Sequence, residues 1–173
     1  DTAGNAGAAG TSPNYAVETL APSVSSITMS DTALKAGDTA TLTIVFSEAV
    51  AAFANADVTI GSGAISTLAS SDSITWTATL TPTADTEDAV NVVTVAASYT
   101  DTLGNDGGAG TSANYAVETL APSVSSITFA DTSLIGGETS LVTIVFSEAV
   151  AAFTNDDLTI VNGAMSAVAD SGD

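Results

Sequence analysis

The sequence predicts an all-β protein built from tandem two-layer sandwich domains of about 100 residues each. Three observations predict it. The stretch NYAVETLAPSVSSIT occurs twice without a change, from Asn14 and again from Asn114. Residues 1–73 align with residues 101–173 without a gap, and self-similarity at a fixed period marks an array of repeated structural units. Within each repeat, apolar and hydroxyl side chains alternate with period two, the mark of half-buried strands.

The strands follow in order. The first is SVSSITMS at 23–30. The second, TATLTIVFS at 39–47, places Ala40, Leu42, Ile44 and Phe46 on one face and Thr39, Thr41, Thr43 and Val45 on the other. The third is DVTIG at 57–61 and the fourth AISTLAS at 64–70. The fifth, SITWTATLT at 73–81, turns Ile74, Trp76, Ala78 and Leu80 inward. The sixth, VNVVTVAASY at 90–99, turns Val93, Val95, Ala97 and Tyr99 inward. The seventh, SANYAVE at 112–118, does the same with Tyr115 and Val117. PTADTEDA and TDTLGNDGGAG carry turn residues and read as the loops on either side of the sixth strand. Seven short antiparallel strands in about 100 residues, in Greek-key order, read as an immunoglobulin-like sandwich.

The repeated stretch then has a role. NYAVE is the last strand of one domain, TLAP a short linker, and SVSSIT the first strand of the next. Pro22 and Pro122 stiffen the joint and stop the ladder from continuing through it. Residues 1–19 are expected to be the loop and last strand of a preceding domain, 20–119 a complete domain, and 120–173 the first four strands of a following one. The missing strands are expected either from the rest of a longer array or from a neighbouring chain.

Composition narrows the chemistry. The chain has no Cys, His or Arg, one basic residue, Lys35, and 20 acidic residues, for a net charge of −19. Such a surface repels nucleic acid and anionic membranes and attracts divalent cations. No apolar run approaches the ~18 residues of a membrane helix, so no insertion is expected. Without His or Cys, neither a Ser-His-Asp nor a Cys-His arrangement is available, and no enzyme is expected. The glycine-rich DTAGNAGAAG and DTLGNDGGAG are followed by neither Gly-Lys-Ser/Thr nor a helix, so they read as turns rather than phosphate loops. Trp76 has inward parity and reads as core rather than as a sugar platform.

Oxygen is the only metal-ligand chemistry on offer, which suits calcium. In a seven-stranded sandwich, alternate loops share an end. The end nearest the incoming linker is expected to gather Glu18, Glu48, Asp57, Asp72, Asp101, Asn105 and Asp106. The matching set at the next joint is Glu118, Glu148 and Asp157. A weaker set at the opposite end is Asp31 and Asp38 with Asp85, Glu87 and Asp88. Acidity at Asp1/Asp101, Glu18/Glu118, Asp31/Asp131, Glu48/Glu148 and Asp57/Asp157 is kept between copies, and Asp38 becomes Glu138, while Lys35 becomes Ile135. The competing reading is that these acids cap turns or solvate loops.

The stretches DTLGNDG, ETLAPSVSSIT, FSEAVAAFTNDDLTI and ITWTATLTPTADTEDAVNVVTV resemble the bacterial Ig-like tandem repeats of giant RTX-type adhesins and related surface proteins. The resemblance spans nearly the whole chain, although no RTX nonapeptide is present. It implies a secreted, extracellular extender on the bacterial cell surface, with Ca²⁺ held in loops and at domain junctions. The expected function is a non-catalytic spacer whose partners are neighbouring repeats of its own chain. A filament or surface layer, in which other copies complete the sheets, is the alternative. A glycan- or protein-binding module is a third reading, weakened by the mainly Thr and Ser outer faces.

Overall fold

The computed structural model describes residues 1–170. The chain divides into two compact units, Asp1–Thr119 and Leu120–Asp173.

In the first unit the elements are β1 (Val24–Met29), β2 (Ala33–Lys35), β3 (Ala40–Phe46), β4 (Val50–Ala51), a 3₁₀ turn (Asn55–Asp57), β5 (Val58–Ile60), β6 (Gly63–Ile65), β7 (Thr75–Pro82), β8 (Glu87–Asn91), β9 (Val93–Val95), β10 (Thr100–Asp101), β11 (Gly110–Thr111) and β12 (Tyr115–Glu118). One layer has the order β1-β3-β7-β6. Its centre is β3, where alternation puts Ala40, Leu42, Ile44 and Phe46 into the core. None of these four strands carries a charge.

The other layer consists of β11-β9-β5 and β2-β12-β8. β5, β8 with β9, and β12 fall in or overlap the predicted third, sixth and seventh strands, while β2 matches no predicted strand and β11 precedes the seventh; the ladder is interrupted once. The interruption falls at Val92 on one strand and at residues 112–114 on its neighbour. Side chains bridge it: Val93 N donates to Ser112 Oγ and Asn91 N to Asn114 Oδ1, both at 2.9 Å. Hydroxyl and amide oxygens here stand in for backbone acceptors that the broken ladder lacks. Leu42, Ile44, Phe46 and Leu80 of the first layer join Leu34, Val93, Val95, Tyr99, Tyr115 and Val117 of the second in one core. That is the immunoglobulin-like division of seven strands into two facing sheets.

Four expectations are corrected. Lys35 lies in β2, a short strand outside the seven expected ones, which pairs in parallel with β12. Glu87 and Asp88 belong to strand β8, not to a loop. Ala97 is exposed, because β9 ends at Val95 and residues 96–98 bulge outward before Tyr99 returns to the core. Residues 14–18 form no strand, although within the same letters at 114–118 Tyr115–Glu118 form β12.

The second unit contains β13 (Val124–Phe129), β14 (Val142–Phe146) and a 3₁₀ turn (Asn155–Asp157). β13 and β14 pair with the register of β1 and β3, Val124 opposite Phe146 as Val24 is opposite Phe46. The expected third and fourth strands are not strands among the described residues. In the first unit, β5 and β6 pair with β9 and β7, and no such partners occur among the described residues of the second unit. Short strands do not persist unpaired. No helix among the described residues is long and apolar enough to cross a membrane.

Candidate functional site

The end of the first unit that receives residues 18–22 is built around the loop from Asp101 to Gly110. β10 pairs Asp101 with Val50, and burial leaves the Asp101 side chain only 3 % exposed. Its Oδ1 accepts from Leu103 N (2.8 Å) and Asn105 N (2.9 Å). Its Oδ2 accepts from Asn105 Nδ2 at 2.6 Å. Hydrogen bonds from Asn105 hold the carboxyl below its ordinary range, with Leu103 and Gly104 N–H groups adding to the effect against burial. Gly104 sits at φ +94°, in the left-handed region that closes the turn.

The loop grips the chain entering the domain. Asn105 Nδ2 reaches Glu18 O at 3.4 Å, and Gly108 N donates to Pro22 O at 3.1 Å. Tyr99, fully buried, donates its hydroxyl to Gly108 O at 2.6 Å. Burial pushes the Tyr99 phenol up. Beneath the loop, Phe46, Phe53 and Tyr99 form an aromatic cluster with centroid distances of 4.7–5.9 Å. Trp76 packs edge-on against Phe53 at 5.3 Å, as its parity predicts.

The other acids expected at this end are engaged elsewhere. Asp57 closes its own 3₁₀ turn by accepting from Ala54 N at 2.8 Å and also takes the Ser98 hydroxyl. Asp72 accepts from Thr75 N (2.8 Å) and Ile74 N (2.9 Å), and these two bonds, Thr75 first, lower its pKa. Asp106 is exposed and bridges Thr100 through the backbone. Glu18 accepts from Leu20 N at 2.6 Å. Glu48 is the exception: its Oε1 is buried without a hydrogen-bond partner. Thus Asp101, Asn105 and the Glu18 backbone come together, and no three acids form a metal-holding group among the described residues.

At the opposite end, Asp31 caps Ala33 N and Asp38 caps Lys35 N, each at 2.9 Å. Asp85 lies at φ 51° in a turn. Asp88 accepts from Ser62 Oγ at 2.8 Å, the main cause of its lowered pKa, with Val90 N second. Glu118 stands in register between Lys35 of β2 and Glu87 of β8.

In the second unit, Asp157 caps Thr154 N at 2.9 Å, and Glu148 is exposed.

The internal copies show why acids persist while neighbours drift. Asp1 accepts from Ala3 N, Asn5 N and Asn5 Nδ2 at 3.0, 2.9 and 2.8 Å, the same bonds that Asp101 makes. Gly4, at φ +87°, matches Gly104. Asp-Thr-x-Gly-Asn is therefore a self-contained turn, formed even where its residues are wholly exposed. Likewise Glu138 Oε2 accepts from Ile135 N at 3.0 Å where Asp38 accepts from Lys35 N. The acid answers to a backbone N–H, so the side chain at 35 or 135 is free to change.

A family model described as a bacterial Ig-like domain matches residues 18–117 and, a second time, residues 118–173. The chain belongs to the bacterial Ig-like domain family. No curated protein and no solved structure matches it. Bacterial Ig-like domains are in general non-catalytic structural modules, typically found at the cell surface or outside the cell. Sequence reasoning about this bacterial Ig-like chain missed the clamp made by Asn55, whose Nδ2 donates to Ser66 O and whose Oδ1 accepts from Leu68 N at 2.8 and 2.9 Å. Asn155 repeats it with Ser166 and Val168. The signal was available: Asn55 and Asn155 are unchanged between copies, as are Ser66 and Ser166, while Leu68 becomes Val168.

Proposed function

We propose that this chain is a stretch of a spacer: bacterial Ig-like repeats set in series to hold another part of a surface adhesin away from the cell, without catalysis. In this reading 20–119 is one full repeat, flanked by parts of its neighbours. The observation that carries it is the grip of the Asp101–Gly110 loop on the entering segment, through Asn105 to Glu18 O and Gly108 to Pro22 O. A domain that fixes the backbone entering it, next to a buried proline, restricts the angle of whatever precedes it. Small-angle scattering on polypeptides of increasing repeat number tests this. The maximum dimension should grow linearly, by ~40 Å per repeat, given strands of about 3.3 Å per residue plus loops. Growth as the square root of repeat number would refute it.

Calcium at the joint is part of the proposal. The donor chemistry suits it, but the acids as placed do not converge into a cage. Support comes from Glu48 Oε1, a buried carboxylate oxygen without a partner, in a chain of net charge −19. Extracellular modules bind calcium with dissociation constants of about 10⁻⁴–10⁻³ M. The melting temperature should therefore rise in millimolar calcium over chelator, and Glu48→Gln should remove most of the rise. Equal melting in both conditions would sink the calcium reading and leave the spacer reading standing.

Strand addition between chains is the competing architecture, favoured by one observation. Tyr15 is 77 % exposed where Tyr115 is 1 % exposed in an identical stretch. Docking that stretch into another copy would bury one Tyr and one Val, about 5 kcal/mol together. Association costs about 4–15 kcal/mol, so one short strand does not hold two chains firmly. Within one chain the effective concentration removes most of that cost, which favours repeats in series.

A further inference from the structure

We infer that Asn162 is a site of spontaneous backbone rearrangement, forming a succinimide with Gly163 that opens to isoaspartate. The reaction needs three things: an unencumbered side-chain amide, an accessible backbone nitrogen on the next residue, and no side chain there to block the ring. Asn162-Gly163 is the only Asn-Gly pair in the sequence. Both residues are exposed. Asn162 has φ 61°, in a turn. A Cβ at Gly163 would meet only Ile160, at 3.4 Å, so an alanine fits there as a test without displacing its neighbours.

The other amides are mostly engaged. The Nδ2 groups of Asn5, Asn55, Asn91, Asn105, Asn114 and Asn155 each donate a hydrogen bond of 2.6–3.0 Å. Among the described residues the amide of Asn162 makes none. Asn14 is also free of such bonds, but Tyr15 follows it, and a bulky side chain hinders closure. The first repeat lacks the site, because Ser62 precedes Gly63 and its hydroxyl is given to Asp88.

The chemistry balances without an outside oxidant or reductant. The Gly163 nitrogen loses its proton to base and attacks Asn162 Cγ. The N–Cγ bond forms, the Cγ–Nδ2 bond breaks, and ammonia leaves. Water then opens the five-membered imide at either carbonyl, giving isoaspartate or aspartate. Each product makes the net charge of −19 more negative by one. Isoaspartate also adds a methylene to the main chain. It does so beside Gly163, whose counterpart Gly63 opens β6 opposite Pro82.

The test is storage of the 173-residue polypeptide in mildly alkaline buffer, followed by peptide mapping and enzymatic methylation of isoaspartate. The peptide holding Asn162 should convert first, with isoaspartate and aspartate as products and a rate that rises with pH. Gly163→Ala should slow it by about tenfold, one power of ten being 1.36 kcal/mol of barrier. Asn162→Gln should abolish it at that peptide. Conversion at Asn14 or Asn114 ahead of Asn162 would overturn the inference, as would an unchanged rate in Gly163→Ala.

Discussion

Asn105 donates its side-chain amide to Asp101 Oδ2 at 2.6 Å. One residue thereby both stabilises the charged form of a buried acid and reaches back to the chain entering the domain. Asp101 has its pKa lowered below the ordinary 3.8 by Asn105 first. A depressed native pKa contributes stability above the unfolded value, and that stability is lost as pH falls through the native one. The first unit should therefore lose stability from pH 3.8 downward. Asp101→Asn turns an NH₂ toward the Asn105 amide, donor against donor. The variant should be less stable at neutral pH and flatter in the acid range. Trp76, the single tryptophan, reports the first unit alone by fluorescence, and parallel acid profiles for the two proteins would count against this account.

The alkaline limb has the opposite sign. Tyr115 donates to Gly61 O, and burial first, then the charge of Asp88, pushes its pKa above 10.0. A raised native pKa contributes stability below the unfolded value, lost as pH rises through the native one. Tyr115→Phe should cost about 1 kcal/mol at neutral pH, the net worth of one hydrogen bond. The variant should also unfold less steeply above pH 10.0. Tyr99 keeps the same sign in the variant, so the alkaline loss is reduced rather than abolished. Chemical denaturation across that range reads both effects.

How much of this was legible in the sequence depends on whether a residue's partner is local. Phe46 and Leu42 were readable from alternation, because β3 lies at the centre of its layer with a strand on each side. The turn acids Asp31, Asp38 and Asp101 were readable as special positions, with metal binding and turn capping both open, since an Asp that binds metal and one that binds its own turn look alike in letters. The seventh strand shows the limit most sharply. YAVE is coil at 15–18 and strand at 115–118, because strand is a property of the ladder and not of the letters. Tyr115→Ala should cost about 3 kcal/mol or more, whereas Tyr15→Ala should stay within about 0.5 kcal/mol. Equal effects in denaturant titrations would mean that residues 14–18 are docked in solution.

Gly107 offers the most direct test of how the loop is laid down. It is buried, its N–H donates to Tyr99 O at 2.8 Å, and a Cβ there would fall 2.2 Å from the Tyr99 ring. The ring has little room to yield, being fully buried against Phe46 and Phe53 with its hydroxyl held by Gly108 O. Forcing a methyl into such a site costs about 1–3 kcal/mol. Gly107→Ala should destabilise the first unit by that amount and raise hydrogen exchange at Gly108 N, whose acceptor is Pro22 O. The neighbouring Gly108, with open space at its Cβ position, provides the control: Gly108→Ala should stay within about 0.5 kcal/mol. If Gly107→Ala proved as mild as Gly108→Ala, the Tyr99 ring would not be the floor on which the loop rests.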